Sequence, residues 1–264
     1  FYNDPVWNHV YSMGHNYNKE TILGIDNNWN SGSWDHDSEL TSCCRFEGLG
    51  DGGWGDAWGE IAFWKRYPEG PRKDAVYAPK ITFQDGATIT KVCNWWDLEP
   101  NYTNMTNGRR HRLIRYAEVL LWYAESAARS GGDLAKAKEY LREVRKRAVN
   151  DVENVTLSDG TKVAIANMTA DQLAEACYIE HGWEVAGQWT QMVTRRADEF
   201  RMNELKKNFD YRVANKPVVV AVENGKEYTA KESVPVVKST WAGDESIYCP
   251  YPTTEVEKNP NLKR

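Results

Sequence analysis

Between residues 109 and 149 the apolar positions recur three and four apart. Leu113, Tyr116, Ala117, Leu120, Tyr123, Ala124 and Ala127 share one face at the helical period, which predicts a helix starting at Arg109. Ser130-Gly131-Gly132-Asp133 ends it. Glycine takes the left-handed conformation that closes a helix, and Asp133 offers an oxygen to cap the next. Leu134, Ala137, Leu141, Val144 and Ala148 carry the pattern through a second helix to Val149. Two helices joined by so short a turn form an antiparallel hairpin. Alanines at 117, 124, 127 and 137 would let the two backbones approach closely.

Downstream, Val155 to Val163 around Ser158-Asp159-Gly160 reads as a small hairpin. Thr169 with Gln172 at the third position after it is a capping box, starting a helix that runs to about Ala186. Gly187 interrupts before a further helical stretch, 188–207. Lys216–Val222 and Lys226–Thr229 flank Glu223-Asn224-Gly225, a strong hairpin signal. The tail reads as extended and punctuated by proline.

Upstream the pattern is lost. Residues 1–55 are rich in Gly, Asn, Asp and Ser, with one strand-like run, Thr21-Ile22-Leu23-Gly24-Ile25. Asp56 is placed to cap a short helix, Ala57–Tyr67, that ends before Pro68. The stretch 67–74, YPEGPRKD, reads as a turn-rich exit. Residues 74–108 hold a strand-like Lys80–Phe83, a turn at Asp85-Gly86 and the pair Trp95-Trp96. The chain therefore divides, within one unit over 1–264, into a loop-rich aromatic part (1–108), a helical block (109–207) and a hairpin with a tail (208–264).

Composition narrows the function. The net charge of -5 argues against a general affinity for nucleic acid or an anionic membrane surface. No apolar run approaches the ~18–20 residues that span a bilayer. The abrupt start, FYNDPVW, reads as a mature or excised fragment. Five cysteines without a CxxC pair point to free thiols rather than a disulfide framework or a zinc site. Twelve Trp and fourteen Tyr stand against six Phe, a preference for aromatics with a polar handle. Their abundance in 1–55 argues for ordered loops there, because disordered segments are poor in aromatics.

Arg112-Leu113-Ile114-Arg115-Tyr116-Ala117-Glu118-Val119-Leu120-Leu121, followed by Tyr123-Ala124-Glu125, resembles the RLIRYAEVLLMYAEA signature of the SusD/RagB family. These are outer-membrane nutrient-binding lipoproteins of Bacteroidetes. Ala137-Lys138-Glu139-Tyr140-Leu141 with Val144-Arg145-Lys146-Arg147-Ala148 resembles the continuation of that signature. Tyr251-Pro252, Glu255 and Asn259-Pro260-Asn261-Leu262 are similar to the family's closing motif. Gly53-Trp54-Gly55 and Pro71-Arg72-Lys73-Asp74 sit where its members carry a Gly-rich loop and a "DPR.D" turn. The resemblance implies a mainly α fold, SusD-like, with a tetratricopeptide-type helical hairpin, further helices, long ordered loops and a few short strands. Because members are about twice as long, it also implies the carboxy-terminal half. One departure stands out. The family's "ER..EL..EG.R..DL.R" helix is here Glu180-His181-Gly182-Trp183-Glu184-Val185-Ala186-Gly187-Gln188-Trp189. Both acids remain, but an arginine is replaced by His181, which implies an eroded internal ion-pair scaffold.

Three readings of the chemistry follow. Asp35, His36, Asp37 and Glu39 lie within five residues of each other. A glycosidase needs two carboxylates facing across a bond, usually from different elements, so this cluster reads first as a solvated acidic loop. A calcium site is the next reading, although the spacing is not that of an EF-hand, and a glycoside hydrolase the least favoured. No cofactor is implied, and GxSxG, HExxH and P-loop motifs are absent. Trp122 and Trp183, on helices, are expected in the core. Trp29, Trp34, Trp54 and Trp58 sit among Gly, Asn, Ser and Asp, which offer few apolar partners. Exposed tryptophan beside amides and acids suits sugars: the ring lies on the C–H face of a pyranose while polar groups meet its hydroxyls. The resemblance implies a glycan-binding role for Trp29, Trp34, Trp54 and Trp58, with Asn28, Asn30 and Asp51 as hydroxyl partners. In the stretch GDGGWGDAWGEIAFW, Trp54 and then Trp58 are the expected exposed rings, and Trp64 the buried one. The resemblance further implies a glycan ligand, a SusC-like TonB-dependent transporter as partner, and attachment to the outer membrane only through a lipid anchor outside this chain. A peptide- or protein-binding helical scaffold is the alternative.

Overall fold

A computed structural model describes residues 15, 17–26, 39–40, 63, 66–78, 81–82, 88–89, 93–94, 106–107, 110–186, 188–214, 218–223, 226–231, 240–243 and 251–262. The fold is mainly helical with short strand pairs. Its centre is the expected hairpin, α2 (Tyr116–Ser130) and α3 (Leu134–Ala148), packed against α4 (Ala170–Glu184).

Local chemistry explains the hairpin. Gly131 closes α2 at φ 74°, and the Gly132 amide donates to the Ala127 carbonyl (2.8 Å). Asp133 accepts from the Lys136 amide at 3.0 Å and so caps α3. Ala117, Ala124, Ala127 and Ala137 are all buried, and the interface they line continues into Leu120, Leu121, Leu141 and Val144. The Thr169–Gln172 capping box starts α4 from both sides: Gln172 N donates to Thr169 Oγ1 and Thr169 N to Gln172 Oε1. Leu173, Ala174, Ala176 and Cys177 complete the core from α4. Cys177 is a free thiol, and burial pushes its pKa up. The small hairpin of β3 (Asn154–Thr156) and β4 (Lys162–Ala164) forms as expected, as does the antiparallel pair β5 (Val218–Glu223) and β6 (Lys226–Lys231), with Glu223 opposite Lys226 at its end.

Four elements depart from the sequence reading. The helix expected from Arg109 begins only at Tyr116, because His111–Arg115 form a strand, β2, antiparallel to β1 (Thr21–Ile25). Tertiary pairing overrides helical periodicity here. The Glu118 carboxylate accepts from the Arg115 amide (2.9 Å), and Glu20 takes the next amides: its carbonyl from Tyr116 (2.7 Å) and its carboxylate from Ala117 (3.3 Å). These are the donors that a longer helix would have used internally. The stretch 188–207 is two helices, α5 (Trp189–Arg201) and α6 (Leu205–Ala214). Asn203 turns between them at φ 59°, a conformation asparagine tolerates better than most residues. Pro71-Arg72-Lys73-Asp74 is not a turn but the start of a short helix, α1 (Pro71–Val76), with proline at its first position. The tail contains another, α7 (Thr253–Lys258). Of the helix expected over 57–67, the described residues Phe63 and Arg66 are helical and Tyr67 lies in the bend that follows.

Gly70 fixes where α1 docks. It sits at φ 149°, and a Cβ there would stand 2.6 Å from the Val149 Cα and 2.8 Å from the Ala148 carbonyl. Glu69 accepts from the Asn150 amide alongside (2.9 Å), so neither backbone has room to retreat. Gly70→Ala is expected to lower stability by about 2–3 kcal/mol through overpacking and backbone strain, read as a shift in the urea midpoint with the slope unchanged.

Candidate functional site

The side chains with the most constrained chemistry form a buried cluster where β2, α1, α3 and α4 meet. Glu184 lies at its centre. One carboxylate oxygen pairs with Arg115 and Arg147, each at 2.7 Å, and the other with Arg72 at 2.7 Å. Glu180, one turn earlier on α4, pairs with Arg145 and with Arg72. The Arg72 Nη2 to Glu180 Oε1 approach of 2.7 Å is an ion pair whose angle falls short of a hydrogen bond. Arg145 also donates to the carbonyls of Asp151, Val152 and Asn154, which ties the exit from α3 to the cluster. Glu20, in the turn before β1, reaches Arg115 at 3.1 Å and Arg147 at 3.2 Å. Gln188 completes the group, accepting from Arg115 Nε and donating to the Glu184 carbonyl.

Burial alone would push the Glu184 carboxyl up, but Arg147, Arg115 and Arg72 outweigh it and hold the acid well below the usual carboxylate range. Burial likewise works against the charge on Arg72. Tyr67, Glu180 and Glu184 outweigh it, and its pKa lies well above its ordinary value. Glu184, wholly buried and paired with three arginines, is therefore a poor general acid or base: a proton on it would cost several ion pairs. This corrects the expectation of an eroded scaffold. The arginines come from α1, β2 and α3 rather than from α4 itself. His181, in place of the family's arginine, is buried with Nε2 3.4 Å from Glu118 and its ring 5.7 Å from that of Trp122.

Along the chain, the outer members of the cluster sit beside the segments in which the sequence placed its candidate binding residues. Asn28, Trp29, Asn30, Trp34, Asp51, Trp54, Trp58 and Trp64 lie outside the described residues, as do Asp35, His36, Asp37 and the Trp95-Trp96 pair. Glu39 is described only in backbone, where it pairs with Asn107. Both tryptophan-bearing segments nevertheless abut anchored elements. Before Asn28, β1 is held to β2 and its turn is clamped by Glu20. After Trp58, Phe63 and Tyr67 pack on Trp183 at 4.7 and 5.1 Å, and the Tyr67 hydroxyl donates to the Trp183 carbonyl. Trp183 and Trp122 are half-buried rather than fully in the core. Sequence reasoning picked out Glu180 and Glu184 but missed Arg72, Arg115, Arg145 and Arg147 as their partners and Glu20 as a further acid on Arg115 and Arg147; those lie at separations that no local spacing reports.

A model of the SusD family matches residues 71–264. The chain belongs to the SusD family. That match includes α1 and all the helices packed on it. Among solved structures, the SusD fold recurs in surface glycan-binding protein A from Bacteroides thetaiotaomicron, at 17% identity and a TM-score of 0.61. The superposition covers 98% of this chain and 54% of that one. A SusD-like protein from Bacteroides fragilis NCTC 9343 superposes with a TM-score of 0.59 at 18% identity, over 96% of this chain and 55% of its own. The chain thus spans about half the length of these SusD structures. No curated protein sequence matches significantly. Among the described residues no helix is long and apolar enough to cross a membrane, and no group of three or more His, Cys, Asp or Glu is placed to hold a metal.

Proposed function

We propose that this chain captures an extracellular oligosaccharide or polysaccharide without chemical conversion, at the outer-membrane surface, for uptake through a SusC-like TonB-dependent transporter. Membership of the SusD family carries the reading. The Bacteroides thetaiotaomicron relative is a surface glycan-binding protein, which supports the ligand class. Trp29, Trp34, Trp54 and Trp58 supply stacking surfaces, and Asn28, Asn30 and Asp51 meet hydroxyls. Anchored elements beside both segments favour this, because a rim held before binding loses less entropy on binding. Attachment to the membrane is through a lipid anchor.

Affinity electrophoresis tests the proposal. The protein should be retarded in gels containing at least one of amylopectin, mixed-linkage β-glucan, xylan, β-mannan or polygalacturonate. Unretarded migration in all five would sink the glycan reading. Prolonged incubation with the retarding polysaccharide should release no reducing ends. Release that Asp35→Asn or Asp37→Asn abolishes would replace capture by hydrolysis.

A further inference from the structure

The turn before β1 holds an aromatic ring in water. Tyr17 is 75% exposed. Its backbone is fixed all the same. The Asn18 side-chain oxygen accepts from the Glu20 amide (3.0 Å), the Thr21 amide (3.1 Å) and the Thr21 hydroxyl (3.3 Å). The Asn18 amide donates to the His15 carbonyl at 3.2 Å. Glu20, three residues after Tyr17, is clamped by Arg115 and Arg147. The ring is therefore displayed from a rigid turn.

A charged pair stands beside it. The β1–β2 register sets Gly24 against Arg112 and Ile25 against His111, which brings Asp26 and Arg110 opposite each other at the end of the ladder. Arg110 Nε lies 2.9 Å from Asp26 Oδ1, and the guanidinium carbon is 5.1 Å from the Tyr17 ring centroid. The guanidinium also reaches the Gly24 carbonyl at 3.5 Å. The Asp26 side chain is 59% exposed, so the carboxylate faces solvent with capacity to accept further bonds. A half-exposed pair of this kind adds little to folding stability, and neither does a ring left in water.

The geometry points to a pyranose subsite made by Tyr17, Arg110 and Asp26. The inference rests on the glycan reading above and extends it to described residues. The ring takes the C–H face of the sugar, Asp26 accepts from one hydroxyl, and Arg110 donates to another. Arg110 is already neutralised by Asp26, so an acidic sugar would gain no net attraction and would meet the Asp26 carboxylate. The subsite is for a neutral hexopyranose. Asn28 and Trp29 follow Asp26 by two and three residues, which puts this subsite next along the chain to the tryptophan segment. The ligand that uses both is an oligosaccharide rather than a single sugar.

The test uses the full chain, the five polysaccharide gels named above, and titration calorimetry with the polysaccharide that retards most. Tyr17→Ala should weaken binding about two- to tenfold, the range expected for losing one aromatic platform. Tyr17→Phe, which keeps the ring, should match the wild type, as should Tyr123→Ala, an exposed ring on α2. Asp26→Ala should weaken binding while circular dichroism stays unchanged. Binding of Tyr17→Ala and Asp26→Ala equal to wild type would overturn the subsite and leave the glycan reading standing. Retardation by none of the gels would overturn both. Retardation by polygalacturonate alone would overturn the assignment to a neutral sugar.

Discussion

Glu184→Gln is expected to lower the thermal midpoint by roughly 6–20 °C. The substitution keeps the shape but removes the charge that three arginines share, two of which, Arg72 and Arg115, have no exposed surface. Removing one member of a buried ion pair leaves an uncompensated charge and costs about 3–5 kcal/mol. In a chain of this size each kcal/mol moves the midpoint by about 2–4 °C. The effect carries a pH signature with a definite sign. The Glu184 pKa is depressed in the folded state, so its contribution is complete above the unfolded value of about 4.3. It is lost as pH falls below that value towards the folded one. The gap in midpoint between wild type and Glu184→Gln should therefore be widest near neutrality and should narrow on acidification below about pH 4. A constant gap from pH 7 to pH 3, or a midpoint within about 2 °C of wild type, would show that the arginines do not depend on Glu184.

The pair Trp54→Ala with Trp58→Ala should reduce glycan affinity about a hundredfold or more, enough to abolish gel retardation. Two aromatic platforms, each contributing up to about 1.5 kcal/mol beyond simple burial, account for that factor. The far-ultraviolet dichroism and melting curve should stay close to wild type, because the described residues of the helical core come from α2, α3, α4 and the segment between α3 and α4. Retardation equal to wild type would move the site elsewhere. Loss of binding together with a collapsed melting transition would assign these rings to folding instead.

The parts of the fold that could be read from sequence are those decided locally. Gly131, Asp133 and the Thr169–Gln172 box announce helix ends within four residues, and the hairpin lies where they put it. The misread parts depend on distant partners. The apolar spacing of Leu113 to Ala117 is consistent with a helix, and only β1, some ninety residues earlier, makes 111–115 a strand. Proline and glycine in the stretch 67–74 suggest a turn, yet a buried Arg72 facing two acids on α4 holds a helix there. The acids of the cluster were visible as a family pattern. Their partners were not, because charge pairing across a fold has no periodicity. The proposed binding residues were singled out by composition, tryptophan among glycine, asparagine and aspartate, together with the family resemblance, signals that identify a kind of surface but not its geometry.

The clamp on Glu20 and the packing of Phe63 and Tyr67 on Trp183 have an evolutionary corollary. They secure the chain on either side of residues 27–62 using groups that lie outside that interval. The described members of the charge cluster, from Glu20 to Gln188, are all encoded outside the interval. If the proposed glycan contacts lie in residues 27–62, ligand preference and these anchors can be selected separately, and an interval from a paralogue with a different diet grafted between Asp26 and Phe63 should be accepted by the same helices.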